Sequence, residues 1–347
     1  MKKQKYIWNI LLILVLTLGA LWFALKDNYQ IVLSSIQKMN PAFFLLICVW
    51  GALYTAVWGL VYYVFGKKYL PDYTPIKGII VAFVGSFFAG ITPSSTGGQF
   101  GQAYIMKKQG IRVSDSVSLL WADFIIYQTT MMIIVTILFL LKYGYYSAQS
   151  AWFKIILLGY IINAVVISVL YTVALFPKVY VKLTNALANW ISKLKFIKNG
   201  DKMVESWTLQ MASFTSEARA LSKDKKRIAI CVLINTVRLA LLYSLPFAIA
   251  RSLHINIDNS MLLDVMALSS FVLMANSFIP IPGASGGTEV VFMLLFDRLM
   301  YPLTGAVMVL WRFSTYHLIV LVGGILFAIL RNYYDRKNSI DIYEEDL

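Results

Sequence analysis

The chain has 347 residues, of which 59% are hydrophobic and only 14% are charged, and its mean hydropathy is +0.70. Soluble proteins carry about 25% charged residues. Several apolar runs here reach the roughly 20 residues that a membrane-crossing helix needs. These values exclude a soluble globular protein and predict an all-α integral membrane protein, with a single polytopic domain over 1–347. The net charge of +14 is explained by basic loops at a membrane and gives no reason to expect nucleic-acid binding.

In chain order, the apolar segments predict six full spans and two re-entrant hairpins, which enter and leave the membrane on the same side. The predicted spans are 7–25, 42–65, 115–141, 152–176, 228–250 and 303–330. The predicted hairpins are 76–108 and 262–300, each a half-helix, a Pro-Gly break and a second half-helix. Between the halves, segment 177–227 combines apolar residues at helical spacing with many basic ones. We expect it to lie on an anionic inner leaflet.

The breaks in the two hairpins have similar sequences. Aligning Pro93 with Pro282 also places Gly97-Gly98 on Gly286-Gly287. A backbone that unwinds inside a membrane needs protein or water to satisfy its freed N–H and C=O groups. Paired interruptions in two halves of a membrane chain therefore indicate a transport site near the bilayer centre. The residues expected to line it are Thr92, Pro93, Ser95, Gly97, Gly98, Pro282, Gly283, Gly286, Gly287 and Thr288.

The distribution of positive charge supports this topology. With the N-terminus in the cytoplasm, 23 of the 31 Lys and Arg residues fall on the cytoplasmic side and 6 on the outer side, while Arg238 and Arg312 fall inside spans. Basic residues are enriched in cytoplasmic loops. A full crossing by either hairpin would move all later loops to the other side and remove the bias. We therefore expect both termini in the cytoplasm and the two halves as inverted repeats.

Four ionisable residues inside these segments are candidates for substrate binding: Arg312, Arg238, Asp123 and Glu289. A charge within a membrane is costly, so a functional role is expected of each. The planar guanidinium fork suits a phosphate, and the acids suit a cationic headgroup or a proton. The alternative is that the acids and arginines form buried salt bridges that fix the helices. The sequence leaves both interpretations open.

Enzymatic machinery is not evident in the sequence. There is no Gly-rich loop ending in Lys-Ser or Lys-Thr, and the two histidines, His254 and His317, have no neighbours at metal-ligand spacing. We therefore expect no catalytic residue, no metal and no cofactor.

The interrupted motifs and one later pair resemble the signature stretches of a known family. They read Thr92-Pro93 with Gly97-Gly98, Ile279-Pro280-Ile281-Pro282-Gly283 with Gly286-Gly287-Thr288-Glu289, and Trp311-Arg312. These stretches are similar to those of the lysylphosphatidylglycerol synthase transmembrane-region family, which includes the flippase half of the multiple peptide resistance factor. In that factor a soluble lysyltransferase domain follows the flippase. Only 17 residues follow Leu330 here, so we expect no lysyltransferase activity.

The resemblance implies a lipid flippase of the bacterial cytoplasmic membrane. Its substrate would be a phospholipid, an aminoacylated phospholipid or a polyprenyl-phosphate-linked lipid. Two alternatives remain open, an integral-membrane lipid-modifying transferase and a lipid-binding scaffold that moves nothing. The expected partners are membrane lipids, and a homodimer is left open. In the first motif, Gln99 or Gln102 takes the place of the acidic residue expected near Gly98, so the family substrate does not transfer directly.

Overall fold

A computed structural model describes residues 29–92, 95–141, 150–175, 223–276 and 282–345. Within these ranges every element is helical and no strand occurs. The helices are α1 (Tyr29–Gln37), α2 (Pro41–Tyr69), α3 (Pro75–Gly90), α4 (Gly97–Lys108), α5 (Val113–Leu141), α6 (Ser150–Leu175), α7 (Lys225–Ser252), α8 (Leu262–Asn276), α9 (Gly287–Met300), α10 (Thr304–Arg312) and α11 (Leu318–Glu345). Short 3₁₀ turns lie at Asn259–Met261 and Pro282–Ala284, and a π-helical turn, Phe313–His317, joins α10 to α11.

Four helical stretches are long and apolar enough to cross a membrane: Pro41–Tyr69, Val113–Leu141, Lys225–Ser252 and Thr304–Arg331. They coincide with four of the six predicted spans. The predicted span 152–176 coincides with α6, whose apolar stretch among the described residues is shorter, Leu157–Ser168. The predicted span 7–25, and the predicted surface segment up to residue 222, lie outside the described residues. Helix α1 falls in a stretch that the sequence predicts only as a connection.

Local sequence sets where α2 and α3 begin. Both have proline in the first turn, where its missing N–H costs no hydrogen bond. The side chain of Asn40 accepts a hydrogen bond from the Ala42 amide at 2.9 Å, and the Thr74 hydroxyl accepts one from the Lys77 amide at 3.4 Å. These caps satisfy amides that a helix start otherwise leaves free.

Both predicted breaks interrupt the helices. Helix α3 ends at Gly90 and α4 begins at Gly97, while α8 ends at Asn276 and α9 begins at Gly287. The four arms have 16, 12, 15 and 14 residues, all fewer than the roughly 20 that span a bilayer. The two arms of each pair pack against each other, so we call them the first hairpin (α3–α4) and the second hairpin (α8–α9).

The first hairpin closes tightly along its length. A Cβ at Gly98 would lie 3.1 Å from the Cβ of Ala89 on the opposite arm, so only a residue without a side chain fits comfortably. At the open end, the Gln109 side-chain amide donates a hydrogen bond to the Lys77 carbonyl at 3.1 Å. The start of α3 and the end of α4 therefore lie side by side.

The two hairpins pack at opposite ends of the same long helices. The beginning of α5, at Leu119 and Leu120, shares a buried cluster with Val81 and Ile105 of the first hairpin. The end of α5, at Val135, belongs to a second cluster that contains the second hairpin. Helices α2 and α7 likewise contribute to both clusters. Along α2, Tyr54 packs against the second cluster and Trp58 against the first, so the two clusters adjoin between them.

Candidate functional site

The tips of the two hairpins meet at one tyrosine. The Tyr316 hydroxyl donates a hydrogen bond to the backbone carbonyl of Gly90, the last residue of α3, at 3.0 Å. The same hydroxyl lies so close to Gly283, in the second tip, that a Cβ there would overlap it. The 3₁₀ turn Pro282–Ala284 also packs on α3. Tyr316 stands in the π turn, a helical irregularity that is frequent at functional sites.

A buried salt bridge closes the second tip. Arg312 donates from Nε to Oε1 of Glu289 at 2.8 Å and from a terminal nitrogen to the Gly283 carbonyl at 3.0 Å. Oε2 of Glu289 accepts from the Gly286 amide at 2.7 Å. The arginine is 5% exposed, the glutamate 1%, and the guanidinium lies over the Tyr316 ring. The salt-bridge interpretation therefore holds for this pair in the structure.

Left-handed backbone shapes the second tip. Gly283 has φ of +60° and Gly286 has φ of +89°, values that glycine adopts without strain. Thr288, in the first turn of α9, donates its hydroxyl to the Ala284 carbonyl at 2.9 Å. The Ser285 hydroxyl is buried and interacts with the Tyr316 hydroxyl. Of the other predicted residues here, Pro282 is buried in the turn and Gly287 is the first residue of α9.

The first tip is held mainly by Thr92. Its hydroxyl donates to the Phe88 carbonyl at 2.7 Å and accepts from the Gly97 amide, at the start of α4, at 2.8 Å. A Cβ at Gly97 would lie 2.5 Å from the Thr92 methyl group. Ser95 is exposed and has φ of +56°. Pro93 lies outside the described residues, so its predicted role remains a prediction.

Asp123 forms a second polar cluster, built around α2. Its Oδ2 accepts hydrogen bonds from the indole of Trp58 and the hydroxyl of Tyr62, both at 2.9 Å. Gln102 of α4 donates in turn to the Tyr62 hydroxyl at 2.8 Å. Each hairpin is thus linked through its second arm to a charged residue of a later helix. In the first hairpin, Gln102 of α4 reaches Asp123 of α5 through Tyr62. In the second, Glu289 of α9 bonds directly to Arg312 of α10.

Arg238 is held by aromatic rings rather than by an acid. Its guanidinium lies 4.3 Å from the ring centroid of Trp58, 4.5 Å from that of Tyr127 and 5.1 Å from that of Tyr54. It donates to the Tyr54 hydroxyl at 3.1 Å and to the Asn235 side-chain oxygen at 3.3 Å. Among the described residues, no carboxylate lies within ion-pair distance of it. Within the described residues, therefore, Arg238 does not form the salt bridge that the alternative interpretation expects.

The sequence analysis missed the residues that hold Asp123 and Arg238. Tyr54, Trp58 and Tyr62 follow one another at intervals of four and so form one stripe along α2. Aromatic residues with polar tips in a stripe inside a membrane span are the signal that could have found them. Tyr316 was also not a predicted site residue, and its contact with Gly90 depends on long-range folding that no local pattern encodes.

The site contains several buried hydrogen-bond donors. Among the described residues, no three side chains of His, Cys, Asp or Glu converge as metal ligands would. Two buried guanidinium groups, those of Arg238 and Arg312, and the Ser285 hydroxyl are groups of the kind that can donate hydrogen bonds to an anion.

Comparison with known proteins agrees with the membrane character of the fold. Residues 9–323 match the family described as the lysylphosphatidylglycerol synthase TM region. A protein of Archaeoglobus fulgidus described as a UPF0104 membrane protein is 23% identical over 303 residues, covering 84% of this chain and 88% of its own length. No solved structure matches the chain. The chain is thus a multi-pass membrane protein that belongs to the lysylphosphatidylglycerol synthase TM-region family.

Proposed function

We propose that this protein is a flippase that moves a phosphate-bearing lipid between the two leaflets of the cytoplasmic membrane. The observation that carries the proposal is the contact of both hairpin tips at Tyr316, directly beside the buried Arg312. Two interrupted hairpins that meet at a buried charge provide the polar path that a headgroup needs across the apolar core.

The packing of the hairpins supports re-entrance from opposite sides. Each arm is shorter than a membrane span, and the hairpins occupy opposite ends of α2, α5 and α7. We infer that the first hairpin enters from the cytoplasm and the second from outside, with both termini in the cytoplasm. Rocking of one half against the other would then expose the tips alternately to the two leaflets.

The lipid phosphate would bind Arg312 in exchange for Glu289. Desolvating a lone guanidinium is costly, but exchanging one anionic partner for another keeps the charge paired throughout. The buried Ser285 hydroxyl, beside that of Tyr316, would donate to a phosphate oxygen. Arg238 would hold the phosphate at a second position, since its buried Nε has no hydrogen-bond partner among the described residues. Phospholipids, aminoacylated phospholipids and polyprenyl-phosphate-linked lipids all carry this group.

The test is lipid movement by the purified protein in liposomes. Phospholipids with a fluorescent headgroup are placed in the inner leaflet, and a membrane-impermeant quencher reports their arrival in the outer leaflet. We expect the wild type to expose them faster than protein-free liposomes do, and Arg312→Met to lose that acceleration. Arg251→Met is the matched control, because Arg251 is an exposed arginine that donates a hydrogen bond to the Ile257 carbonyl, away from both hairpin tips.

A scaffold without transport predicts a different result. Lipid would then bind to the protein, but the fraction of fluorescent lipid that the quencher reaches would stay equal to that in protein-free liposomes. That result, obtained with folded wild-type protein, would overturn the proposed function.

A further inference from the structure

The two buried acids of the site differ in how their oxygens are used. Both carboxylate oxygens of Glu289 accept hydrogen bonds, one from Arg312 and one from the Gly286 amide. Asp123 accepts two hydrogen bonds on Oδ2, whereas no described group bonds to its buried Oδ1 with hydrogen-bond geometry, and the Asn235 side chain interacts with the carboxylate more weakly. Asp123 is 5% exposed, so bulk water does not solvate Oδ1 either.

This difference decides which acid can change its charge without rearrangement. A carboxylic acid carries its proton on one oxygen and still accepts hydrogen bonds on the other. A proton on Oδ1 of Asp123 therefore leaves the bonds from Trp58 and Tyr62 intact. A proton on either oxygen of Glu289 would displace the Arg312 salt bridge or the Gly286 amide. The geometry thus gives Asp123 an oxygen that can take a proton, whereas both oxygens of Glu289 are used to hold the second tip.

The groups that face Asp123 come from several helices. The titratable and charged ones are Tyr62 of α2, Tyr127 of α5, and Cys231 and Arg238 of α7. Tyr54 of α2 lies beside Arg238. Helix α4 contributes the uncharged amide of Gln102, and Asn235 of α7 also lies close to the carboxylate. The described parts of α6 and α8, which also pack on α5, add no charge that acts on Asp123. Arg238 is thus its only permanent charged neighbour in the described region.

Trp58 joins the acid to that arginine. Its indole N–H donates to Asp123 at 2.9 Å, and its ring face lies 4.3 Å from the Arg238 guanidinium. When Asp123 is ionised, its negative charge partly compensates Arg238 across the indole. When Asp123 is protonated, the guanidinium loses that compensation and attracts an external anion more strongly.

We propose that Asp123 is a proton-binding site coupled to phosphate binding at Arg238, so that proton and lipid phosphate bind together. This inference rests on the proposed function, which places a lipid phosphate at Arg238. Coupling between two sites is reciprocal, so lowering the pH strengthens lipid binding and lipid binding takes up a proton.

The experiment measures binding rather than movement. The affinity of the full chain for a fluorescent phosphatidylglycerol, whose phosphodiester keeps one charge across the range, is determined in detergent from pH 5 to 9. We expect the wild-type affinity to rise by about 5- to 150-fold as the pH falls, the usual extent of coupling between sites. Asp123→Asn, which resembles the protonated acid, should bind at every pH as the wild type does at low pH. Glu289→Gln is the matched control and should keep the pH dependence.

A second measurement covers the case in which Asp123→Asn fails to fold. Infrared difference spectra of the wild type should show a protonated carboxyl group that appears when lipid is added at intermediate pH. Tyr62→Phe removes one donor to the ionised acid and should displace the midpoint of the pH dependence to higher pH. A wild-type affinity that is independent of pH would overturn the inference, as would a pH dependence that survives in folded Asp123→Asn. Lipid movement could still occur in both cases, so the liposome assay tests the proposed function independently of this inference.

Discussion

The hydroxyl of Tyr316 bonds to the carbonyl of Gly90 at 3.0 Å although 226 positions separate the two residues. One turn before Tyr316, Arg312 bonds to the carbonyl of Gly283 in the other tip. The stretch from α10 through the π turn therefore holds both hairpin tips at once. A movement of this stretch would alter the two tips together, which is what alternate opening toward the two leaflets requires.

Tyr316→Phe tests that connection. The variant keeps the ring over Arg312 but removes the hydroxyl that bonds to Gly90, so the free energy of unfolding should fall by about 1 kcal/mol. We expect lipid movement in liposomes to slow by about 5- to 10-fold, because the tips lose their shared contact. Tyr301→Phe is the matched control, since Tyr301 is 68% exposed. Equal rates for the two variants would show that the contact has no part in lipid movement.

Variants of Glu289 and Arg312 distinguish a structural role of this salt bridge from a role in transport. Arg312→Met leaves Glu289 as a buried acid without its partner, which should destabilise the protein by about 3–5 kcal/mol. Glu289→Gln combined with Arg312→Met removes both charges, so the double variant should recover most of the lost stability. Thermal unfolding of the single and double variants checks this part.

Lipid movement by the same double variant then decides the role of the arginine. We expect it to remain at the level of protein-free liposomes, because no guanidinium is left at the tip to hold a phosphate. Wild-type movement by the stable double variant would assign the pair to folding alone.

The positions of the helix breaks could be predicted from the sequence because they depend on local chemistry. Proline and glycine interrupt a helix wherever it stands, so the second hairpin was predicted at 262–300, and its arms run from Leu262 to Met300. The family was likewise recognisable, because the glycines and Trp311-Arg312 are local motifs. These features need no knowledge of how the helices pack.

The partners of the buried charges could not be predicted in the same way. Arg238 on α7 stacks on Trp58 of α2, a contact that depends on the relative rotation of two helices far apart in sequence. Sequence alone left four charges that could pair in several combinations, and the structure pairs only Arg312 with Glu289 among the described residues. The hydrogen bond that the Thr92 hydroxyl accepts from the Gly97 amide likewise could not be read from the sequence.

Gly286 tests whether the second tip needs its left-handed backbone for transport. Gly286→Ala places a side chain at φ of +89°, which should cost about 1–3 kcal/mol, and should slow lipid movement because the tip and Glu289 shift. Gly110→Ala is the matched control, since Gly110 has φ of +99° in the connection between α4 and α5. Both variants should unfold at lower temperature, but only Gly286→Ala should lose transport. Equal losses would mean that backbone strain alone explains the effect.

The proposed inverted arrangement of the hairpins is tested by labelling single cysteines from each side of the membrane. Cys48→Ala with Cys231→Ala gives a background without thiols. In this background, exposed Lys67 and Lys107 are replaced by cysteine to flank the first hairpin, and exposed Asn259 and Arg298 to flank the second.

We expect a membrane-impermeant thiol reagent to reach Lys67→Cys and Lys107→Cys only from the cytoplasm, because the proposal places both ends of the first hairpin on that side. Asn259→Cys and Arg298→Cys should react only from outside, because the second hairpin packs at the opposite ends of α5 and α7. Reaction of Lys67→Cys and Lys107→Cys from opposite sides would mean that α3 and α4 together cross the membrane. The tips could then not open alternately as inverted repeats, and a transport path between them would have to be abandoned.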